Sequence, residues 1–557
     1  MIKKAGSLFV TAYLLLIFGV YPFYMKEGYV DIGEGKYEFF LYCSLGALLI
    51  LAIITLLYLS RSIYEHFHQK GTFLIDWEKI SVSSTDVFVC IYLAIVSMSG
   101  AASEFRREAI WGVEGWHMGL VLWAVLCGLY LFISRFWKGE GWVWSVAVIV
   151  STVVFLLGIL DSFSFYLIPL DIREAGFIST LGNINWFCGY LSVLAPIGIC
   201  YWLFRERSSE DNKHSSIHLQ AVCMGIYTVL AFMAGLCQGS NSVFLWFGGL
   251  FFVLLWIAVG RRKWLADWFF MVFLWGVSAQ LIRLMRILFP GKYNYDLNNL
   301  CGLFTETNLS LWIAVIALLC YVVLLWIQRR SYHEQNDSED NKTEVAENES
   351  SILQEGMNGR EMWKDEDKQE NVRRIRRILL IVPAVIVLLW VILSAVNTWT
   401  SLSGFLDAGL FLWDESWGNG RGAALKAGVH MFKEMSFVQR LIGVGPDCFA
   451  SYAYSIDEVA VDLRRYFGAS RLTNAHCEIA TSLINVGILG TLCYVGIFAS
   501  FIKRCFKRGA ERAVFYMPAV CVVCYLCHNL VSFAQVLNLP FVILVVAMGE
   551  GMIRRSR

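Results

Sequence analysis

The sequence predicts an all-α polytopic membrane protein. Three observations carry this. Of its 557 residues, 57% are hydrophobic and only 16% are charged. A soluble domain carries about a quarter charged residues. Apolar runs of about 20 residues recur along the chain, and that length spans a bilayer as helix. Alternating β-barrel segments are absent, so the other membrane-spanning solution does not apply. The net charge of +1 argues against a nucleic-acid partner.

The first run, MIKKAGSLFVTAYLLLIFGVYPFYM, has a basic start and an apolar middle. Tyr21-Pro22-Phe23-Tyr24 stands where a signal peptide has small residues for cleavage. It therefore reads as a retained first span. Fourteen spans are expected in all. They lie at about 7–25, 39–60, 84–100, 118–134, 142–160, 184–204, 220–237, 243–259, 268–289, 309–328, 378–396, 479–501, 514–530 and 536–552. The sixteen cysteines fall mostly inside these runs, where a free thiol behaves as a small hydrophobe. They do not form a disulfide framework.

Lys and Arg in the loops set the orientation. With the N-terminus inside, every inside segment is basic, from Lys3 and Lys4 through Arg61, Lys70, Lys79, Arg135, Lys138, Arg205, Arg207, Lys213 and Arg261–Lys263 to Arg554, Arg555 and Arg557. Outside loops before residue 397 hold few: Lys26, Lys36, Arg106, Arg107, Arg173 and Lys292. Both termini are thus expected in the cytoplasm, and the chain in the cell membrane.

Three parts follow. Residues 1–328 form an N-terminal membrane block. Residues 329–377 are a charged inside linker, too polar to bury a core and expected to be disordered or loosely helical. Residues 378–557 form a second membrane block, with a large outer loop at 397–478. Within that loop Ala423 to Lys433 has helical spacing. Ile456 to Phe467 repeats Val459, Leu463 and Phe467 about one turn apart, as an interfacial amphipathic helix does.

The candidate residues sit mostly in this loop. Arg421 follows Gly418-Asn419-Gly420 at a helix start, with Asn419 as a possible N-cap. It is either an anion site, gripping phosphate oxygens with its planar fork, or an interfacial arginine meeting headgroups. His476, in Asn474-Ala475-His476-Cys477-Glu478, is either a base near working pH or an anchor at a span start. Glu478 would orient it or compete with it. Gly443-Val444-Gly445-Pro446-Asp447 is a tight turn, read as structural or as presenting backbone N–H groups to phosphate; no Walker loop follows it. Arg283 and Arg286 share one face near the outer end of span nine, where they either bind an anionic headgroup or snorkel. Cys521, Cys524, Cys527 and His528 have metal-like spacing but lie on an apolar helix, which favours packing. His476, Cys477 and Glu478 are adjacent and do not converge on one zinc ion. No metal or cofactor site is expected.

Taken in order, GRG before a helix, GVGPDCF, and NAHCE running into NVGILG resemble the O-antigen ligase and O-antigen polymerase superfamily of membrane glycosyltransferases. LGNINWFCGYL (Leu181 to Leu191) and the Gln238-Gly239-Ser240-Asn241-Ser242 break look similar too. The resemblance covers roughly residues 85–550 and is most specific over 413–490. It implies a glycosyltransferase-C-like helical fold and an undecaprenyl-diphosphate-linked glycan donor. It implies a glycan, lipid or protein acceptor and inverting, metal-independent transfer at the outer face. By carry-over Arg421 would bind the diphosphate and His476 would help activate the acceptor. The chain departs from the family at two places. Asn241 stands where many members have an arginine, a role Arg283 or Arg286 would take over. Cys477 replaces an asparagine. A polymerase of the same superfamily shares this chemistry. A lipid-glycan flippase is the rival class, but it should show related halves, and no repeat is visible.

Overall fold

The structure, a computed structural model, describes residues 2–69, 82–170, 172–173, 176–204, 214–295, 300–345, 352–399 and 411–556. Lys70, Lys79, Arg205, Arg207, Lys213 and residues 400–410 of the outer loop lie outside them. The described chain is almost wholly helical, with one two-residue hairpin pairing Phe177–Ile178 and Gly182–Asn183. Ten helices are long and apolar enough to cross a membrane. Leu120–Phe136, Val243–Ala258 and Ala513–His528 are shorter apolar helices, and Leu539–Arg555 closes the chain. This is the architecture of a multi-pass membrane protein.

Each of the fourteen expected stretches overlaps a helix, with ends that differ by a few residues: the first passes from α through π and 3-10 turns at Leu16–Phe23, and the last starts at Leu539. Residues 479–501 are not one rod. A short helix, Glu478–Asn485, ends at Val486, and Gly487 restarts the chain with φ +67° before the Gly487–Gly509 helix. That conformation is open to glycine at little steric cost. The first helix is built into the core: Val10, Leu14, Ile17 and Phe18 are buried, and the Tyr13 hydroxyl meets Ser44 Oγ at 2.7 Å. The polar 329–377 segment is not coil where it is described. One helix runs Leu309–Val345 and the next begins at Ile352, and residues 346–351 lie outside the described set.

One end of the bundle is tied by buried charge. Arg504 reaches both oxygens of the fully buried Glu550, at 2.8 and 2.9 Å, and Thr85 donates to the same carboxylate. Asp86 pairs with Arg135 and Arg554 and accepts from the Tyr130 hydroxyl. Four helices are joined there: Ser84–Ala102, Leu120–Phe136, Gly487–Gly509 and Leu539–Arg555.

At the other end residues 411–478 form a folded cap rather than a wet loop. Ala424, Met431, Val444, Phe449, Val459, Leu463, Leu472 and Ile484 make a second core, joined by Ala109 from the 103–119 connection. The Asp457–Phe467 helix does have an apolar face. Val459, Ala460 and Leu463 on that face are buried in this core, against Trp417–Glu434 and not in an interface. Ser436 and Gln439 form a capping box that starts the Phe437–Ile442 helix.

Candidate functional site

The glycine-rich turn is welded to the short helix that precedes Gly487. Val444 N donates to Ile484 O and Gly445 N to Asn485 O, both at 3.0 Å, and Gly443 N donates to Gln439 O. Ser103 Oγ closes the other side on Val444 O at 2.6 Å. The packing is too close for a side chain: a Cβ on Gly443 would lie 2.2 Å from Asn485 O. These bonds correct one expectation. The amides of Gly443 and Gly445 face protein carbonyls and are not offered to a phosphate.

Asp447, the end of that turn, has φ +60°. Its Oδ2 accepts from Val113 N at 2.7 Å and Met118 N at 2.9 Å. Glu478, the first residue of its helix, accepts from Ala534 N through Oε2 (2.6 Å) and from Ser482 Oγ through Oε1. Both side chains line one open cavity. Tyr92, Trp116, Trp123 and Phe533 wall it, and Asn474, Thr481, Ser482 and Asn485 add polar groups. Burial pushes both carboxyls up, each to about 7, against the amide bonds that pull them down. Asp447 adds to the rise at Glu478, as a like charge does.

Arg421 lies within electrostatic reach of His476, and neither lines this cavity, although His476 packs on its wall residue Phe533. Asn419 is no N-cap. Gly418, Asn419 and Gly420 all take left-handed backbone angles, and the regular helix starts at Arg421. The guanidinium is half-buried. Its Nε donates to Val531 O at 3.1 Å and its Nη1 to Gly418 O at 2.6 Å. No carboxylate pairs with it among the described residues. His476 has φ +50°, and its amide donates to Asn474 Oδ1. Its ring stands edge-on to Phe533, 5.6 Å between centroids. Burial first, then the nearby Arg421, lower its pKa to about 4. The imidazole is therefore neutral at physiological pH.

The other candidates are elsewhere. Arg283 donates to Asn308, Arg286 pairs with Glu306 at 2.8 Å, and Asn241 accepts from Leu300 N. All three brace the 300–308 connection, and none lines the cavity. The expected replacement of a missing arginine at 241 by span nine is thus not brought about here. Cys521 and Cys524 are buried in the helix core, and no group of three metal-ligating residues forms among the described residues. His528 is buried against Asn529 and does not line the cavity, but Phe533 and Ala534 beyond it do.

Two contributors escaped the sequence. The 103–119 connection supplies Trp116 and both amides that hold Asp447. The 529–538 connection supplies Phe533, Ala534 and the carbonyl that holds Arg421. The mixed aromatic and charged character of residues 101–117 was the only signal. No protein-family model matches this chain, and no curated protein matches it.

Proposed function

We propose that this chain is a membrane glycosyltransferase of the O-antigen-ligase type. It would move a glycan from an undecaprenyl-diphosphate carrier to an acceptor hydroxyl at the outer face of the cell membrane. The observation that carries the reading is a half-buried guanidinium without a carboxylate partner among the described residues, anchored on Val531 O two residues before Phe533, which walls a cavity holding two carboxylates. Arg421 would receive the diphosphate, since a planar fork suits phosphate oxygens and offsets the charge that develops on the leaving group. Tyr92, Trp116 and Trp123 would offer faces to sugar rings, and Asn474, Thr481 and Asn485 would offer hydrogen bonds to their hydroxyls.

The reading keeps fourteen spans with both termini inside and a glycosyltransferase-C-like arrangement. The four shorter helices, at 16 or 17 residues, sit at the lower edge of spanning length. The test is mass analysis of lipid-linked glycans in a deletion strain, complemented with the native chain or with Arg421→Gln. The expected result is accumulated undecaprenyl-diphosphate glycan in the deletion and Arg421→Gln strains, and none with the native chain. Equal, low levels in all three would refute the reading. A ladder of product lengths would mark a polymerase and a single transfer a ligase.

A further inference from the structure

We propose that Glu478, paired with Asp447 across the same cavity, takes the proton of the entering acceptor hydroxyl, and that His476 does not. The inference rests on the glycosyl-transfer reading above and names its base.

Geometry comes first. Glu478 and Asp447 both line the cavity, whereas His476 does not. Asp447 is held by two backbone amides, and Glu478 by one amide and the Ser482 hydroxyl, rather than by a cation. Glu478 keeps Oε2 on Ala534 N, and its own amide donates to Asn529 O at 3.0 Å. Asp447 keeps Oδ2 on two amides, and its Oδ1 has no protein donor among the described residues. Neither carboxylate forms an ion pair among the described residues. Burial in a cavity without a countercharge disfavours the ionised form of each acid, and at Glu478 the like charge of Asp447 adds a smaller push in the same direction. A general base works best when its pKa is near the working pH. The carboxyls, at about 7, meet that condition. His476, at about 4, does not, and Arg421 beside it opposes the imidazolium that base catalysis would create.

The acceptor O–H bond breaks and its proton goes to the Glu478 carboxylate. The hydroxyl oxygen forms a bond to the anomeric carbon of the donor. The bond from that carbon to the diphosphate oxygen breaks, and its electron pair leaves with the undecaprenyl diphosphate, facing Arg421. The proton then passes from Glu478 to solvent through the cavity mouth. Groups within electrostatic reach of Glu478 are Asp447 on the turn, Tyr92 on the Ser84–Ala102 helix, Tyr494 on Gly487–Gly509 and Tyr525 on Tyr516–His528. His117 faces Asp447 from the 103–119 connection.

The test uses membranes from the deletion strain as the source of accumulated donor and native acceptor. Purified full-length protein is added, and loss of lipid-linked glycan is timed by mass spectrometry from pH 5 to 9. The native chain should show a rate that rises with pH through an acidic limb near 7. Glu478→Gln should lose about 10²–10⁴-fold in rate, the usual worth of a general base, and should lose the limb. Asp447→Asn removes the like charge, so its limb should move to lower pH. His476→Gln should keep the limb in its native position, whatever its rate. Infrared spectra of the same proteins in nanodiscs report the protonated carboxyl band directly. That band should titrate near pH 7 and weaken in Glu478→Gln, which also shows that the variant is folded around its cavity. A deletion strain that accumulates no donor overturns both the transfer reading and this assignment. Accumulation together with a native rate and limb in Glu478→Gln, or a limb lost in His476→Gln, overturns this assignment alone.

Discussion

Gly443→Ala should be among the most damaging single-methyl changes in the cap. Gly443 has φ +85° and ψ −177°, a region essentially closed to other residues, and occupying it costs about 1–3 kcal/mol. The added methyl also meets backbone that cannot step aside: Asn485 O at 2.2 Å, Asn485 C at 2.3 Å and Val486 N at 2.4 Å. Relief requires the turn to lift away from the short helix, which breaks the bonds from Val444 N to Ile484 O and from Gly445 N to Asn485 O. Each such bond contributes about 0.5–1.5 kcal/mol net. Strain and the two lost bonds together give about 2–6 kcal/mol, whose upper half is reached only by a short list of mechanisms. Two controls separate the causes. Gly468 has φ +63° with open space around it, so Gly468→Ala pays strain without collision. Gly428 is helical with open space around it, so Gly428→Ala should gain about 0.5–1 kcal/mol. Thermal unfolding in detergent, followed by tryptophan fluorescence, should rank Gly428→Ala above the native chain, then Gly468→Ala, then Gly443→Ala. Gly443→Ala with a Tm equal to that of Gly468→Ala would refute the idea that the turn is welded to 484–486.

Two further predictions concern buried charge. Asp447 has a folded-state pKa raised from 3.8 to about 7, so the folded state binds more protons than the unfolded one between those values. Stability therefore falls as pH rises through that window, by at most about 4 kcal/mol for a shift of this size. Asp447→Asn removes the titration: its Tm should exceed the native Tm at pH 8, with the gap closing towards pH 4, and a gap constant with pH would refute the cause. At the opposite end of the bundle, Arg504→Met or Glu550→Met alone strands a buried charge and should cost about 3–5 kcal/mol. The double variant should recover most of that in the same thermal assay, and a double that is worse than either single would show that the pair is not the main partner of each side chain.

The helices were legible because bilayer thickness imposes one length on every apolar run, and a run of 20 residues needs no partner to be recognised. The cap was less so. Val459 and Leu463 have the spacing of an apolar face, but the same spacing suits a bilayer surface or a neighbouring helix. Only tertiary contact shows that Met431 and Phe449 cover it. In the sequence Asp447 reads only as the end of a turn. Its chemistry comes from Val113 and Met118, more than 300 residues earlier, and no local pattern announces amides aimed from that distance. Arg283 and Arg286 mislead for the opposite reason. Their spacing places them on one helix face, but the ends of all helices look alike in sequence. Which end adjoins Arg421 is decided by how the helices are ordered around the bundle.

The same weld that makes Gly443 intolerant of a methyl also bears on the carboxylates. Asp447 ends the turn, and the turn is bonded to Ile484 and Asn485, the last turn of the helix that Glu478 begins. The two acids therefore sit at opposite ends of one stiff unit, a helix of eight residues with a turn clamped to its tail. Ser99 Oγ donates to Asn485 O at 3.1 Å and Ser103 Oγ to Val444 O, so a membrane helix braces the unit from below. Coupling between two carboxyls depends steeply on their separation when water is excluded. A pair on flexible loops would average that separation and titrate as two ordinary acids. A pair on one braced unit keeps it. The glycines of the turn let the backbone approach residues 484–486 closely enough to fix Asp447 relative to Glu478.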